Sequence, residues 1–108
     1  MNPAVVCLCG STRFSEAFQR ANLEETLAGR IVLTIGCDRR SDNDLFSTMS
    51  DEEKEQVKTR LDELHKRKID LADEILVLNV GGYIGKSTRG EIDYAAEHDK
   101  RIRYLEAP

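Results

Sequence analysis

The chain has no long apolar run, no excess of positive charge, no internal repeat and no even set of cysteines, and each absence removes a class of protein. A membrane-spanning helix needs about 20 consecutive apolar residues, and no such stretch occurs. The amino terminus shows no secretory leader pattern. Sixteen Lys and Arg stand against 20 Asp and Glu, a formal charge of −4. Affinity for a phosphate backbone comes from clustered Lys and Arg, so nucleic acid is not an expected partner, and neither is a membrane. The longest basic cluster, Lys66-Arg67-Lys68, lies in an acid-rich helical stretch and reads as a solvated face. Three cysteines, Cys7, Cys9 and Cys37, are an odd number without a secretory mark, which predicts reduced thiols in a cytoplasmic protein. Cys7 and Cys9 share one strand face, but the sequence shows no further ligands beside them, so neither a metal nor a cofactor is expected. With no linker or low-complexity tract, the 108 residues read as one domain, 1–108, with a single modest core.

What is present is a regular alternation of apolar β-type runs and helical patterns. Ala4-Val5-Val6-Cys7-Leu8-Cys9 is continuously apolar, the mark of a strand buried on both faces. Ser11 or Thr12 is in place to cap the next helix, with Phe14, Ala17, Phe18, Ala21, Leu27 and Ala28 at helical spacing and Gly29 at its end. Ile31 to Ile35 is a second strand, stopped by Gly36, and residues 37–50 read as a polar, mobile loop. Ser50 and Glu53 form a capping box that opens a long helix with Val57, Leu61, Leu64, Lys68 and Leu71 on one stripe. Glu74 to Val80 is the third strand. Thr88-Arg89-Gly90-Glu91 is another capping-box match, and Arg101 to Leu105 is a fourth strand. The order βαβαβαβ predicts a small α/β fold: four parallel strands in the order 2-1-3-4, a flavodoxin-like or Rossmann-like three-layer sandwich. So small a sheet leaves a flank suited to a dimer.

Two strands end in glycine and hydroxyl residues. The first runs into Gly10-Ser11-Thr12-Arg13, the second into Gly81-Gly82-Tyr83-Ile84-Gly85-Lys86-Ser87-Thr88. Such turns gather at the carboxyl ends of parallel strands, where helix amino termini present free N–H groups to an anion. The second turn imitates a P-loop, but only three residues separate Gly81 from Gly85-Lys86-Ser87 where four are needed. In the first turn Gly10 admits the ligand, Ser11 and Thr12 offer hydroxyls and Arg13 pairs with phosphate; the bland reading is a strand–turn–helix junction with a Ser/Thr cap. Gly85, Ser87 and Thr88 complete the candidate phosphate pocket. Glu91 reads either as the third residue of a capping box, with its pKa lowered by the helix dipole, or as an ionised carboxylate for chemistry. Spacing alone favours the cap. His65 borders the apolar stripe, in line with Leu61, Ile69 and Ala72, and is open between packing and catalysis. Asp70 and Asp73 fall on the side of the strands' amino ends and read as structural.

These residues carry a resemblance. Cys9-Gly10-Ser11-Thr12-Arg13, Ala72-Asp73 leading into a buried strand, and Glu91-Ile92-Asp93-Tyr94-Ala95 followed by Lys100 and a last strand resemble the nucleoside 2-deoxyribosyltransferase superfamily. The nearest branch is its nucleoside 5′-monophosphate N-glycosidases, whose first loop reads Cys-Gly-Ser-x-Arg. The resemblance runs in order through nearly the whole chain. It implies a flavodoxin-like sheet, a homodimer or higher homo-oligomer, and cleavage of the bond between base and (deoxy)ribose by a glutamate, here Glu91. It further implies that Gly10, Ser11 and Arg13 hold the 5′-phosphate, with Ser87 in the segment that completes the pocket. Three departures stand out. His65 occupies the place of an Asp that helps protonate the base, Cys7 that of a Tyr that steadies the glutamate, and the family's extra carboxy-terminal part has no counterpart before Pro108.

The expected activity is therefore N-glycosidic cleavage or transfer on a nucleotide or nucleoside, with Glu91 as nucleophile and His65 as proton donor. The alternative is a module of the same fold that binds a nucleotide or nucleotide-sugar without turnover.

Overall fold

The computed structural model describes residues 2–35 and 48–107. Strand β1 (Val5–Cys9) leads into helix α1 (Ser15–Leu27), and β2 (Ile31–Leu33) follows. Helix α2 (Asp51–Leu71) then leads to β3 (Glu74–Val77), a short 3-10 turn at Val80–Gly82, helix α3 (Lys86–Glu97) and β4 (Arg101–Tyr104). All four strands are parallel, in the order β2-β1-β3-β4. The central strands explain this order. Val6, Leu8, Ile75, Val77 and Leu78 are almost completely buried, and burying one such side chain contributes about 1.5–3 kcal/mol. Alternation along β1 then divides the core. Val6 and Leu8 pack with Phe18 and Ala21 of α1, while Cys7 and Cys9 face Ile69 of α2 and Ala95 of α3. Among the described residues no helix is long and apolar enough to cross a membrane.

The helix boundaries differ from expectation in two places that matter for the site. α1 begins at Ser15 with Phe14 as N-cap, so neither Ser11 nor Thr12 caps it. The Ser11 carbonyl instead accepts from Phe14 N, closing a tight turn, and the Ser11 hydroxyl oxygen accepts from Arg13 N at 3.3 Å. α3 begins at Lys86 with Gly85 as N-cap and no side-chain cap bond. Glu91 therefore lies well inside the helix, and the Thr88–Glu91 capping box does not form. At the other ends the local rules hold: Gly29 terminates α1 with φ +88°, and the Ser50 hydroxyl accepts from Glu53 N at 3.1 Å to start α2.

On α2 the core-facing side chains are His65 and Ile69. Leu61, Leu64 and Leu71, placed by periodicity on the apolar stripe, are exposed. The second strand ends at Leu33 rather than Ile35. Gly36, Cys37 and the loop expected to be mobile lie outside the described residues up to position 47.

Candidate functional site

The carboxyl ends of β1 and β3 are adjacent, and the chain leaves them in opposite directions, toward β2 and toward β4. This is a switch point, the place where open parallel sheets bind ligands. Two loops meet there through Tyr83. Its ring packs edge-on against Phe14 at 5.8 Å between centroids and lies under the Arg13 guanidinium at 4.3 Å. The close approach of the loops sets a steric limit at Gly10, where an added Cβ would stand 3.1 Å from Leu78 Cβ. Gly10 thus serves the packing of β1 against β3, a role distinct from admitting a ligand. Gly85 is similarly confined, with Tyr83 Oη 3.3 Å from a Cβ placed there.

Of the candidate phosphate-binding residues, Thr12, Arg13 and Ser87 are exposed and Gly10, Ser11 and Gly85 half-buried. Thr88 is buried, at 3% exposure. The first-turn N–H groups of α3 lack side-chain caps, as an anion site requires. The Gly81 N–H, by contrast, already donates to Glu106 Oε2 at 2.8 Å, so the imitation P-loop is closed by the chain's own carboxylate. Asn79, absent from the sequence reasoning, sits 1% exposed at the end of β3. Its amide pairs at 2.9 Å with both the N–H and the carbonyl of Glu106.

Glu91 and His65 come together on the face covered by α2 and α3. Glu91 Oε1 lies 3.6 Å from His65 Nε2, with side chains 14% and 6% exposed. That same Nε2 lies 3.3 Å from Cys9 Sγ and 3.6 Å from Cys7 Sγ. The assumption that the cysteine pair has no further ligand nearby is therefore corrected. His65 is at their centre, brought there by the α2 turn that also buries Ile69.

This burial reshapes the acidities. Loss of water raises the Glu91 carboxyl above its usual range, against the pull of the neighbouring imidazole; the expected lowering by a helix terminus is overturned because Glu91 is not at the terminus. Burial pulls the His65 imidazolium down, but the hydrogen bond with Cys7 and the Glu91 charge outweigh it, and the net shift is upward. The two thiols move apart: Cys7 is lowered, chiefly by its hydrogen bond with Cys9, while Cys9 is raised by the same pairing and by burial.

Two open grooves lie elsewhere. One of about 930 Å³ runs along α1 and is lined by Arg13, Phe14, Val80, Leu105 and Glu106; it includes neither Glu91 nor His65. The other lies toward the amino ends of the strands, around Asp73 and Lys100. There Asp73 accepts from Val5 N at 2.8 Å and Asp70 accepts from Tyr94 Oη at 2.6 Å, which gives both carboxylates structural work.

No protein-family model, curated protein or solved structure matches the chain.

Proposed function

We propose that this chain cleaves or transfers the N-glycosidic bond of a nucleoside 5′-monophosphate or nucleoside, on a flavodoxin-like three-layer fold of the nucleoside 2-deoxyribosyltransferase type. The observation that carries the reading is the Glu91–His65 pair, 3.6 Å apart beside the carboxyl end of β1. Retaining cleavage of a glycosidic bond needs a carboxylate at the anomeric carbon and an acid at the leaving group. In this reading a Glu91 oxygen attacks C1′, the C1′–N bond breaks, and its electron pair passes to the base nitrogen, which takes the proton of the His65 imidazolium. Water or the nitrogen of a second base then attacks C1′, the C1′–Glu91 bond breaks, and the attacking group's proton passes to the now neutral His65. The upward shift of His65 suits a group that must carry a proton near neutrality. Arg13 and the uncapped first turn of α3 are the groups to receive the phosphate. Assembly as a homodimer or larger homo-oligomer belongs to the same reading, with exposed Leu61, Leu64 and Leu71 of α2 as apolar surface to cover.

A second reading, ligand binding without turnover, draws on the position of the larger groove, which holds Arg13 but not Glu91. A panel of ribo- and deoxyribonucleosides and their 5′-monophosphates separates the two. Glycosidic chemistry releases free base, detected by chromatography. Saturable binding with no base released from any member of the panel contradicts it and selects the second reading.

A further inference from the structure

Cys7 and Cys9 of β1, His65 of α2 and Glu91 of α3 converge on one buried point from three separate elements. The two Sγ atoms and His65 Nε2 lie within 4.8 Å of one another. Nε2 stands 3.3 Å from Cys9 Sγ, 3.6 Å from Cys7 Sγ and 3.6 Å from Glu91 Oε1. Around a tetrahedral zinc ion, metal–sulfur bonds of about 2.3 Å and metal–nitrogen or metal–oxygen bonds of about 2.0–2.2 Å separate neighbouring donor atoms by roughly 3.3–3.8 Å. All three contacts of Nε2 fall in that interval. We propose that Cys7 Sγ, Cys9 Sγ and His65 Nε2 bind one Zn²⁺ or a similarly thiophilic divalent cation, with Glu91 Oε1, 3.6 Å from Nε2, beside the open fourth position.

Ordinary packing accounts for part of the cluster, since free cysteines fill cores as small apolar residues. It does not by itself call for a buried carboxylate beside them, and Glu91 Oε1 has only the contacts of the cluster, with His65 Nε2 at 3.6 Å and with the Cys9 thiol, to offset its burial. A cation held by the two thiols and the imidazole adds a positive charge beside it. The donor set also selects among cations: two thiolates and an imidazole suit zinc and its neighbours, whereas magnesium and calcium take oxygen. Loaded, the site sets two thiolate ligands against a divalent ion, with the Glu91 carboxylate close by. Both cysteines are fully buried while the Glu91 side chain keeps 14% exposure, so an ion reaches the thiols past the carboxylate.

This site goes beyond the glycosidic reading and does not depend on it. The two uses exclude each other at one atom, because His65 Nε2 cannot hold a cation and protonate a base together. Zinc would silence base release and a chelator would restore it.

The test uses the reduced full chain, freed of metal and titrated with Co²⁺. One Co²⁺ per chain should bind with a thiolate-to-cobalt charge-transfer band and the strong visible bands of tetrahedral cobalt, both displaced by Zn²⁺. Cys9→Ala, checked for folding by circular dichroism, should lose the charge-transfer intensity. His65→Gln should weaken binding by more than the roughly 10–100-fold that follows loss of an outer-shell partner. X-ray absorption of the zinc-loaded wild type needs no variant and should count two sulfur and two nitrogen or oxygen neighbours. An oxygen- and nitrogen-only shell, no thiolate band in the folded wild type, or a band undiminished in folded Cys9→Ala would each overturn the site. None of these readouts measures base release, so failure here leaves the glycosidic reading to its own assay.

Discussion

Gly10 shows how much of this site is decided by contact distance. A methyl group there would meet Leu78 Cβ at 3.1 Å and the Leu78 carbonyl at 3.4 Å, so the neighbour must give by a few tenths of an ångström. Gly10→Ala is expected to cost about 1–3 kcal/mol, the usual range for overpacking, seen as a lower midpoint in denaturant unfolding; an unchanged midpoint would mean that the loops part easily. Arg13 is set by the opposite condition. It is exposed and held over the Tyr83 ring, free to turn to an anion. Arg13→Ala should weaken binding of monophosphates by about 1.5–3 kcal/mol, as for a hydrogen bond to a charged group, and leave nucleosides nearly unaffected in calorimetry. Equal losses for both would remove the phosphate role. Both residues are visible in the sequence, where Gly10 reads as the point at which a ligand approaches. Its contact with Leu78, just beyond β3, leaves no mark in the local pattern. His65 and Cys9 meet for the same kind of reason, across a sheet–helix packing that no spacing rule encodes.

At the scale of elements, legibility followed the strength of the local signal. The start of α2 is written in Ser50 and Glu53, whose hydrogen bond forms as the capping rule says. The start of α3 departs from the expectation because Thr88 and Glu91 match the same rule, while the actual N-cap, Gly85, makes no side-chain bond that a pattern could reveal. That shift carries Glu91 from the helix rim into the interior and changes its chemistry from a cap to a buried carboxyl. On α2, periodicity found the right helix and chose a neighbouring stripe, since three leucines outweigh one histidine in any apolar count. The end of β3 depends on Asn79, whose buried amide holds Glu106 by two bonds of 2.9 Å. Asn79→Ala should cost about 1–3 kcal/mol through unsatisfied backbone groups and speed amide exchange at Glu106. Exchange as slow as in the wild type would show that the segment is held by other contacts.

For the molecule as a whole, the sheet order was legible from the two continuously apolar strands and the short turns between elements. What surrounds the sheet was not, because exposure of Leu61, Leu64 and Leu71 emerges only once α2 is docked through His65 and Ile69. If those leucines are covered in a homodimer, the double substitution Leu64→Glu and Leu71→Glu should give a folded monomer in sedimentation, the wild type a dimer. A wild type that sediments as a monomer at every concentration would remove the assembly from the account. The proposed function turns on one side chain. Base release from a 5′-monophosphate substrate, measured for the wild type beside Glu91→Gln of matched fold, tests it most directly. The account predicts release by the wild type and a fall on the order of 10³-fold or more in the variant; equal rates in the two proteins would contradict it.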